Sequence, residues 1–275
     1  MTNSSDTIPD RSSPGSSRNA PSVVVHQKGG EKYATNAQKI CARNNISIGT
    51  WNVRTLRTAG KLEELTNEMN RYQWALLGLC EVRWKKFGEI KTQEGHKLHF
   101  SGEEDKHMNG FGFFIHKDIV NRVMDCRPIS SQLITIRLRV VPFNITIIQA
   151  YAPMSDYNEQ AVKGFYDQIQ EVIDQTPKKD IIVVQGDWNT KVGKDAYKNW
   201  KGTCGQHCNS ESNERGLRLQ EFASYNNLVL TDTFGQHKAS RRWTWHSPSG
   251  EHHDQIDYIT EMDMAQSKWR TSQPD

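Results

Sequence analysis

Five apolar segments of this chain each lead into, or contain, a polar residue whose side chain could take part in chemistry. Read in chain order, those residues are Asn52, Glu81, Tyr151, the pair Asp187 and Asn189, and Asp257. A carboxylate or amide beside a buried strand is costly unless it is paired or holds a metal. A single case is an ordinary first turn residue after a strand, whereas five cases favour strand ends that converge on one rim.

The oxygen-rich character of this set favours a hard cation. Carboxylate and amide oxygens suit Mg²⁺, which takes a few such ligands together with waters and a phosphate. The set lacks the cysteines and histidines that a zinc site requires. Hydrolysis of a phosphodiester needs a cation, a base that orients water, and donors to the phosphate. From residue types and spacing alone, such a catalytic site and a purely structural role remain equally open.

A second constellation lies in the segment that contains Cys204, His207 and Cys208. Two cysteines with a histidine between them could bind zinc. No second ligand pair follows at the spacing of a zinc site, which favours free loop thiols.

The elements that must position these residues begin at Ile46. Period-two and continuous apolar patterns predict strands within 46–52, 74–80, 96–101, 109–115, 132–140, 143–150, 181–187, 228–233, 242–246 and 255–259. Helical spacing predicts helices over 61–70, 157–175 and 213–226, with Asn213 as the cap of the last. Pro142 indicates a hairpin between two of the strands. Strand-rich segments interleaved with a few helices predict one α/β domain with sheets at its centre.

The first 45 residues differ from the rest of the chain in composition. Residues 1–22 contain seven serines and three prolines, and no hydrophobic period is present. We therefore expect 1–45 to form a disordered polar tail and 46–275 to form the folded domain. The basic residues of the tail could form a weak nucleic-acid arm, although a solvated linker is the simpler interpretation.

The charge distribution gives no general argument for a nucleic-acid partner. The formal net charge is +3, and the tail, with six of the 35 basic and three of the 32 acidic residues, accounts for all of it. A nucleic-acid function must therefore be argued from a site.

No apolar run approaches the length of a membrane span, and no apolar segment typical of a secretion signal follows the first residue. Five cysteines, an odd number, also favour free thiols in a reducing, intracellular compartment.

Eight sequence motifs carry a family resemblance. They are, in order, TWN, LGLCEVRW, GFGFFIHKD, QAYAP, VVQGDWN, NERGLRLQEFA and TWHSPSG followed by QIDYI. The ordered set resembles the endonuclease/exonuclease/phosphatase superfamily over about residues 46–260, and within it the endonucleases of non-LTR retrotransposons. The resemblance implies the DNase I-like fold, a four-layer αββα sandwich of two mixed sheets with helices outside. It also implies a DNA endonuclease that depends on Mg²⁺, with Mn²⁺ as an alternative, and that acts in the nucleus rather than the cytoplasm.

The resemblance also implies roles for individual residues. Glu81 would be the carboxylate that holds the metal, with Asn52 beside it. Asp187 would be the base that orients water, and Asn189 would help to place water and phosphate. Tyr151 would contact the scissile phosphate.

Asp257 would orient a catalytic histidine, and here the chain departs from the family pattern. The family closes with a Ser-Asp-His segment that supplies this histidine, and no such tripeptide occurs in the sequence. The nearest histidines, His252 and His253, precede Asp257 and are expected in the turn of the last hairpin. We therefore expect a C-terminally truncated domain with impaired activity.

Arg241 and Arg242 precede the strand at Trp243–Trp245, where the retrotransposon enzymes present a hairpin to DNA. Arginines beside a hairpin are also common as solvent-exposed charges that protect the edge of a sheet from pairing with another strand. Two other functions remain open: a catalytically inactive remnant that binds nucleic acid or protein, and a phosphatase for small phosphoesters.

Overall fold

The computed structural model describes residues 46–105, 110–154, 157–236, 242–247 and 249–262. The strands within these ranges are β1 (Ile48–Asn52), β2 (Leu76–Cys80), β3 (Phe87–Lys91), β4 (Lys97–Ser101), β5 (Phe111–Ile115), β6 (Val123–Pro128), β7 (Leu133–Leu138), β8 (Ile145–Tyr151), β9 (Ile181–Asp187), β10 (Leu228–Leu230), β11 (Trp245–His246), β12 (His253–Asp254) and β13 (Asp257–Met262). The α-helices are α1 (Lys61–Tyr72), α2 (Glu159–Gln175), α3 (Asp195–Asn199) and α4 (Glu214–Tyr225), and short 3-10 helices span Val120–Arg122 and Thr231–Thr233. The expected tail, 1–45, lies outside the described residues.

The strands form two mixed sheets and one small hairpin. The first sheet has the order β1-β2-β5-β4-β3, the second has the order β10-β13-β9-β8-β7-β6, and β11 pairs with β12. Both sheets are mixed, because β1–β2 and β8–β9 are parallel pairs and the other neighbours are antiparallel. The expected pair of mixed sheets is therefore confirmed.

Three hydrophobic clusters hold the layers together. Between the sheets, Ile48 and Phe113 of the first sheet share a cluster with Ile147 and Val183 of the second. On the outer face of the first sheet, side chains of α1 pack on the alternate residues of β2. On the outer face of the second sheet, α2 and α4 pack on β8 and β9. The order of layers is thus helix, sheet, sheet, helix, as expected for the αββα sandwich.

Two strands that the sequence pattern did not predict, β3 and β6, owe their weak pattern to their positions in the sheets. Strands β3 and β6 lie at the free edges of the two sheets, and β3 is almost entirely exposed. An edge strand with little burial carries no strong alternation of apolar and polar residues. The predicted hairpin around Pro142 is confirmed as the β7–β8 pair. No helix among the described residues has the length and apolar character needed to cross a bilayer.

Four strands end at one edge of the sandwich, each with a polar residue, and a fifth strand begins there. The parallel strands β1 and β2 end there in one sheet, and β8 and β9 end there in the other. Strand β13 runs antiparallel to β9 with Asp257 opposite Asp187. Asp257 therefore lies at the beginning of its strand, not at a C-terminal end, and still reaches the same edge.

Candidate active site

A cleft of about 220 Å³ opens at this edge between the two sheets. Its lining includes all six residues that the strand-end pattern singled out: Asn52, Glu81, Tyr151, Asp187, Asn189 and Asp257. They come from five strands or the turns beside them, and they are brought together although they span more than 200 positions of the chain. The convergence that the strand ends predict is what the structure shows, whereas the role of each residue remains a prediction.

An amide bridge joins the two sheets at the floor of the cleft. The Nδ2 atom of Asn52 donates to Oε1 of Glu81 at 2.9 Å and to Oδ2 of Asp187 at 3.2 Å. Glu81 follows β2 in the first sheet, and Asp187 ends β9 in the second. Two carboxylates that share one neutral donor concentrate negative charge at this point.

Glu81 sits in an unusual backbone conformation just after β2. Its φ is 56°, and that of Arg83 is 58°, in the left-handed region that residues with a Cβ seldom adopt. This turn aims the carboxylate at the cleft, while Nη2 of Arg83 lies 2.6 Å from Oε2. Strained conformations of this kind often occur at functional sites, where surrounding structure holds them.

Asp187 is the most deeply buried carboxylate in contact with this bridge, with 4% of its surface exposed. Its Oδ1 accepts a hydrogen bond from the backbone N–H of Asn189 at 3.0 Å. Burial raises the pKa of Asp187 to about 6, the hydrogen bonds from Asn189 and Asn52 oppose the rise, and the charge of Glu81 adds to it. A carboxylate with this pKa can accept a proton near neutral pH.

Tyr151 and Asn189 form the side of the cleft nearest β8. The Nδ2 atom of Asn189 donates to the carbonyl of Ala152 at 2.8 Å, which fixes the amide. Burial raises the pKa of the Tyr151 hydroxyl, and the charges of Asp187 and Glu81 raise it further. The hydroxyl therefore stays protonated at neutral pH and can donate to an anionic oxygen.

Thr244 fixes the backbone at Asp257 through two hydrogen bonds. The Thr244 hydroxyl accepts the backbone N–H groups of Ile256 at 3.0 Å and of Asp257 at 3.2 Å. Burial raises the pKa of Asp257 well above its usual value, and the charge of Asp187 raises it further. Its Oδ1 is buried and has no hydrogen-bond partner among the described residues, an expensive arrangement for a carboxyl oxygen.

The remaining sequence candidates are not among the described residues that line the cleft. Arg241 falls outside the described residues. Arg242 is partly buried; burial raises the pKa of the Cys208 thiol to about 11, and the charge of Arg242 opposes that rise. The Nδ1 atom of His253 faces that of His246 across the β11–β12 hairpin, and its ring stacks on Trp243, so His253 is not part of the cleft lining.

The cysteine constellation gives no sign of a zinc cage. Cys204 and Cys208 are both buried as free thiols in the cluster under α2 and α4. Among the residues that the structure describes, no three histidine, cysteine or acidic side chains come together as a metal site. A metal in the cleft would therefore rely on few protein ligands, as Mg²⁺ commonly does.

Seven further residues line the cleft, and two of them, Arg54 and Thr244, carry polar side chains that the sequence reasoning did not single out. Arg54 directly follows the TWNV segment, so its closeness to Asn52 was a usable signal. Thr244 had no such signal, because its contact with the backbone of Asp257 depends on how the β11–β12 hairpin folds onto β13.

The chain is similar to curated proteins of one name. It is 36% identical over 232 residues to craniofacial development protein 2 of Bos taurus, and 35% identical over 232 residues to that of Tragulus javanicus. The match covers 84% of this chain but only 38% and 39% of those relatives, so the chain spans well under half of their length. No family model matches the chain.

Three solved structures share the fold. The endonuclease domain of TRAS1, a telomere-specific non-LTR retrotransposon, has a TM-score of 0.52 at 14% identity and covers 78% of this chain and 84% of that one. AP endonuclease LMAP from Leishmania major has a TM-score of 0.54 at 14% identity, with 78% of each chain covered. TDP2 of D. rerio, complexed with a single-strand DNA product, has a TM-score of 0.53 at 10% identity and covers 83% of this chain and 86% of that one. Because the sequence identities are low, these structural similarities show a shared fold alone, the DNase I-like fold.

Proposed function

We propose that this chain, which has the DNase I-like fold and is similar over most of its length to craniofacial development protein 2, is a metal-dependent phosphodiesterase that nicks DNA. The observation that carries the proposal is the amide bridge of Asn52 between Glu81 and Asp187, inside a cleft that also presents Tyr151 and Asn189. An enzyme acting on chromosomal DNA would work in the nucleus.

The donor set of the cleft fits a hard divalent cation. All its candidate ligands are oxygens of carboxylates and amides, and the Glu81 and Asp187 carboxylates are anchored to a single amide group. Glu81 would hold Mg²⁺, or Mn²⁺, with Asn52 beside it. When bound, the cation would neutralise negative charge on the phosphate.

The chain's own residues would divide the remaining tasks. Asp187 would accept a proton from the attacking water, since its pKa of about 6 lies close to the working pH. Asn189, fixed by the carbonyl of Ala152, would orient that water or a phosphate oxygen. The protonated Tyr151 hydroxyl would donate to a phosphate oxygen as charge develops there.

Metal binding offers a direct test with a matched control. Glu81→Gln removes a full charge from the cleft, so Mn²⁺ binding followed by electron paramagnetic resonance should weaken markedly. Glu89→Gln removes the same charge from the exposed edge strand β3, where Glu89 pairs with Lys97. Equal binding by Glu81→Gln and Glu89→Gln would remove Glu81 from the proposed site.

The surroundings of Asp257 indicate that an efficient enzyme of this fold would place a histidine beside this carboxyl group. Its buried Oδ1, which has no hydrogen-bond partner among the described residues, is suited to accept an imidazole N–H, and none of the ten histidines of the sequence follows Asp257. We therefore expect the 275-residue polypeptide to nick supercoiled plasmid slowly in Mg²⁺. A closing segment with Ser-Asp-His, appended from a retrotransposon endonuclease, should raise nicking by orders of magnitude.

The same graft with its histidine changed to alanine is the control, and it should not raise nicking. A 275-residue chain that already nicks as fast as the grafted one would show that the histidine is dispensable.

A second candidate function is binding without hydrolysis. The Asp257 carboxyl favours it, because its Oδ1 has no hydrogen-bond partner among the described residues, and without a histidine held there the cleft lacks a donor to the phosphate. In that case the chain would bind DNA with an unchanged affinity in Glu81→Gln, and neither the chain nor its graft would nick.

A further inference from the structure

A layer of buried polar side chains lies between the two sheets directly below the cleft. It consists of Thr50 on β1, Cys80 on β2, Gln149 on β8 and Gln185 on β9. Thr50 is 4% exposed, and the other three are completely buried. The hydrophobic cluster that surrounds this layer between the sheets consists mainly of aliphatic and aromatic residues.

The two glutamine amides connect four strands. Nε2 of Gln149, in the second sheet, donates to Oγ1 of Thr50 at 2.9 Å and to Sγ of Cys80 at 3.1 Å, both in the first sheet. Nε2 of Gln185 donates to the carbonyl of Gly49 at 2.9 Å and to Oε1 of Gln149 at 3.0 Å. The layer therefore links both parallel pairs, one in each sheet, across the sandwich.

Each member of the layer lies one step below a cleft residue on its own strand. Residues two apart on a strand point to the same face, so three of these pairs share the inner face of their sheet. The pairs are Thr50 below Asn52, Gln149 below Tyr151, Gln185 below Asp187, and Cys80 immediately before Glu81. The cleft thus rests on this layer along four of its five strands.

Burying these polar side chains costs free energy of folding, and the packing of an apolar core does not require them. Buried amides in an apolar interior are unfavourable unless they are fully hydrogen-bonded, and Oε1 of Gln185 has no partner among the described residues. Room for the layer comes from Gly78 on β2, since a Cβ at this position would overlap the side chains of Gln149 and Gln185. Apolar side chains of similar volume would fill the space without an unpaired polar atom.

We propose that these four residues are a positioning layer: it sets the separation of the two sheets at the cleft and so holds Glu81 and Asp187 within reach of the single amide of Asn52. The geometric part of this inference stands by itself, and its consequence for catalysis rests on the proposed function. Directional hydrogen bonds fix a spacing between sheets more narrowly than apolar packing does.

The test replaces the amides by an apolar side chain of similar size. The variants are Gln149→Met, Gln185→Met and the double variant, and the control is Gln220→Met. Gln220 is likewise completely buried and donates from Nε2 to Ser212 at 2.8 Å, but it lies on α4, away from the cleft. Melting temperature measures the structural effect, and the side-chain amide signal of Asn52 in asparagine-labelled protein measures the positioning effect.

The two readouts separate a positioning role from a merely structural one. Each single change leaves a partner unpaired and should lower the melting temperature, whereas the double variant removes both glutamine amides and should regain much of the loss. In the double variant the Asn52 amide should nevertheless exchange with solvent faster by about tenfold, as expected when the clamp opens more readily. Gln220→Met should leave the Asn52 signal unchanged.

An Asn52 amide that is unchanged in the double variant, or that recovers together with the melting temperature, would overturn the inference. If the parent protein nicks DNA, the double variant should lose kcat with little change in KM, and an unchanged kcat with a loosened Asn52 would also overturn it. If the parent neither nicks nor binds Mn²⁺, the proposed function fails, and the Asn52 signal still decides the positioning role.

Discussion

Asp187→Asn separates catalysis from stability more sharply than other single changes in the cleft. The new side chain has the same shape, and its oxygen can still accept the backbone N–H of Asn189 that lies 3.0 Å from Oδ1. It cannot accept a proton from water. A general base contributes typically about 10²–10⁴ in rate, so we expect nicking to fall by that factor.

The structure predicts a much smaller change in stability, because two effects oppose each other. The new NH₂ group would face Nδ2 of Asn52, now 3.2 Å from Oδ2, and two donors in contact cost about 1–3 kcal/mol. Against this, burial raises the pKa of Asp187 to about 6, so keeping the native carboxyl ionised above that pH costs roughly 3 kcal/mol relative to the unfolded chain. The two terms nearly cancel above pH 6, and the melting temperature should move by only a few degrees.

Supercoiled plasmid nicking in Mg²⁺ measures the rate, with the grafted protein as the more active background, and thermal melting measures stability. Asp174→Asn on the surface of α2, where Gln170 donates to Asp174 at 3.0 Å, is a matched control and should change neither. Nicking by Asp187→Asn within a few-fold of the parent would refute the assignment of Asp187 as the base. A loss of activity that merely follows a large fall in melting temperature would refute the opposing-terms argument.

Two further predictions concern stability and domain organisation. Asp232 is buried, its Oδ2 accepts the N–H of Ile259 at 2.9 Å, and burial raises its pKa to about 7 against the opposing effect of that hydrogen bond. The native state therefore keeps a proton that the unfolded chain releases near pH 3.9. Because of this difference, Asp232 should make the free energy of unfolding fall between about pH 4 and 7, by up to about 1.4 kcal/mol per pH unit. Asp232→Asn should flatten this pH dependence in denaturant titrations, and an unchanged slope would contradict the assignment. The composition of residues 1–45 predicts that limited proteolysis trims the chain to a core that begins near residue 46, and a protected fragment that retains residues 1–30 would be inconsistent with a disordered tail.

The sequence by itself determined the local part of this structure. Apolar runs such as those around Leu76 and Ile181 predicted buried strands, and the polar residues that follow them were visible as candidates for chemistry. Helical spacing predicted α2 and α4, including the cap at Asn213, whose side chain accepts the N–H of Gly216. These features depend on neighbours a few positions apart, and the chain states them directly.

Which of these residues come into contact depends on the packing of the whole fold. Asn52 contacts Glu81 from 29 positions away and Asp187 from 135 positions away, and no local pattern specifies such a pairing. The direction of β13 likewise placed Asp257 at the beginning of its strand, because an antiparallel neighbour reaches the common edge with its first residue.

The positioning layer is the clearest case of a feature that the sequence concealed. Gln149 and Gln185 lie inside strands whose other residues are mainly apolar, so in the sequence each one resembles an isolated polar interruption. Their meaning depends on sheet packing, which brings two amides 36 positions apart within 3.0 Å of each other. Strand periodicity defines the face that a side chain occupies, whereas the partner across the sandwich is set by the packing of whole sheets.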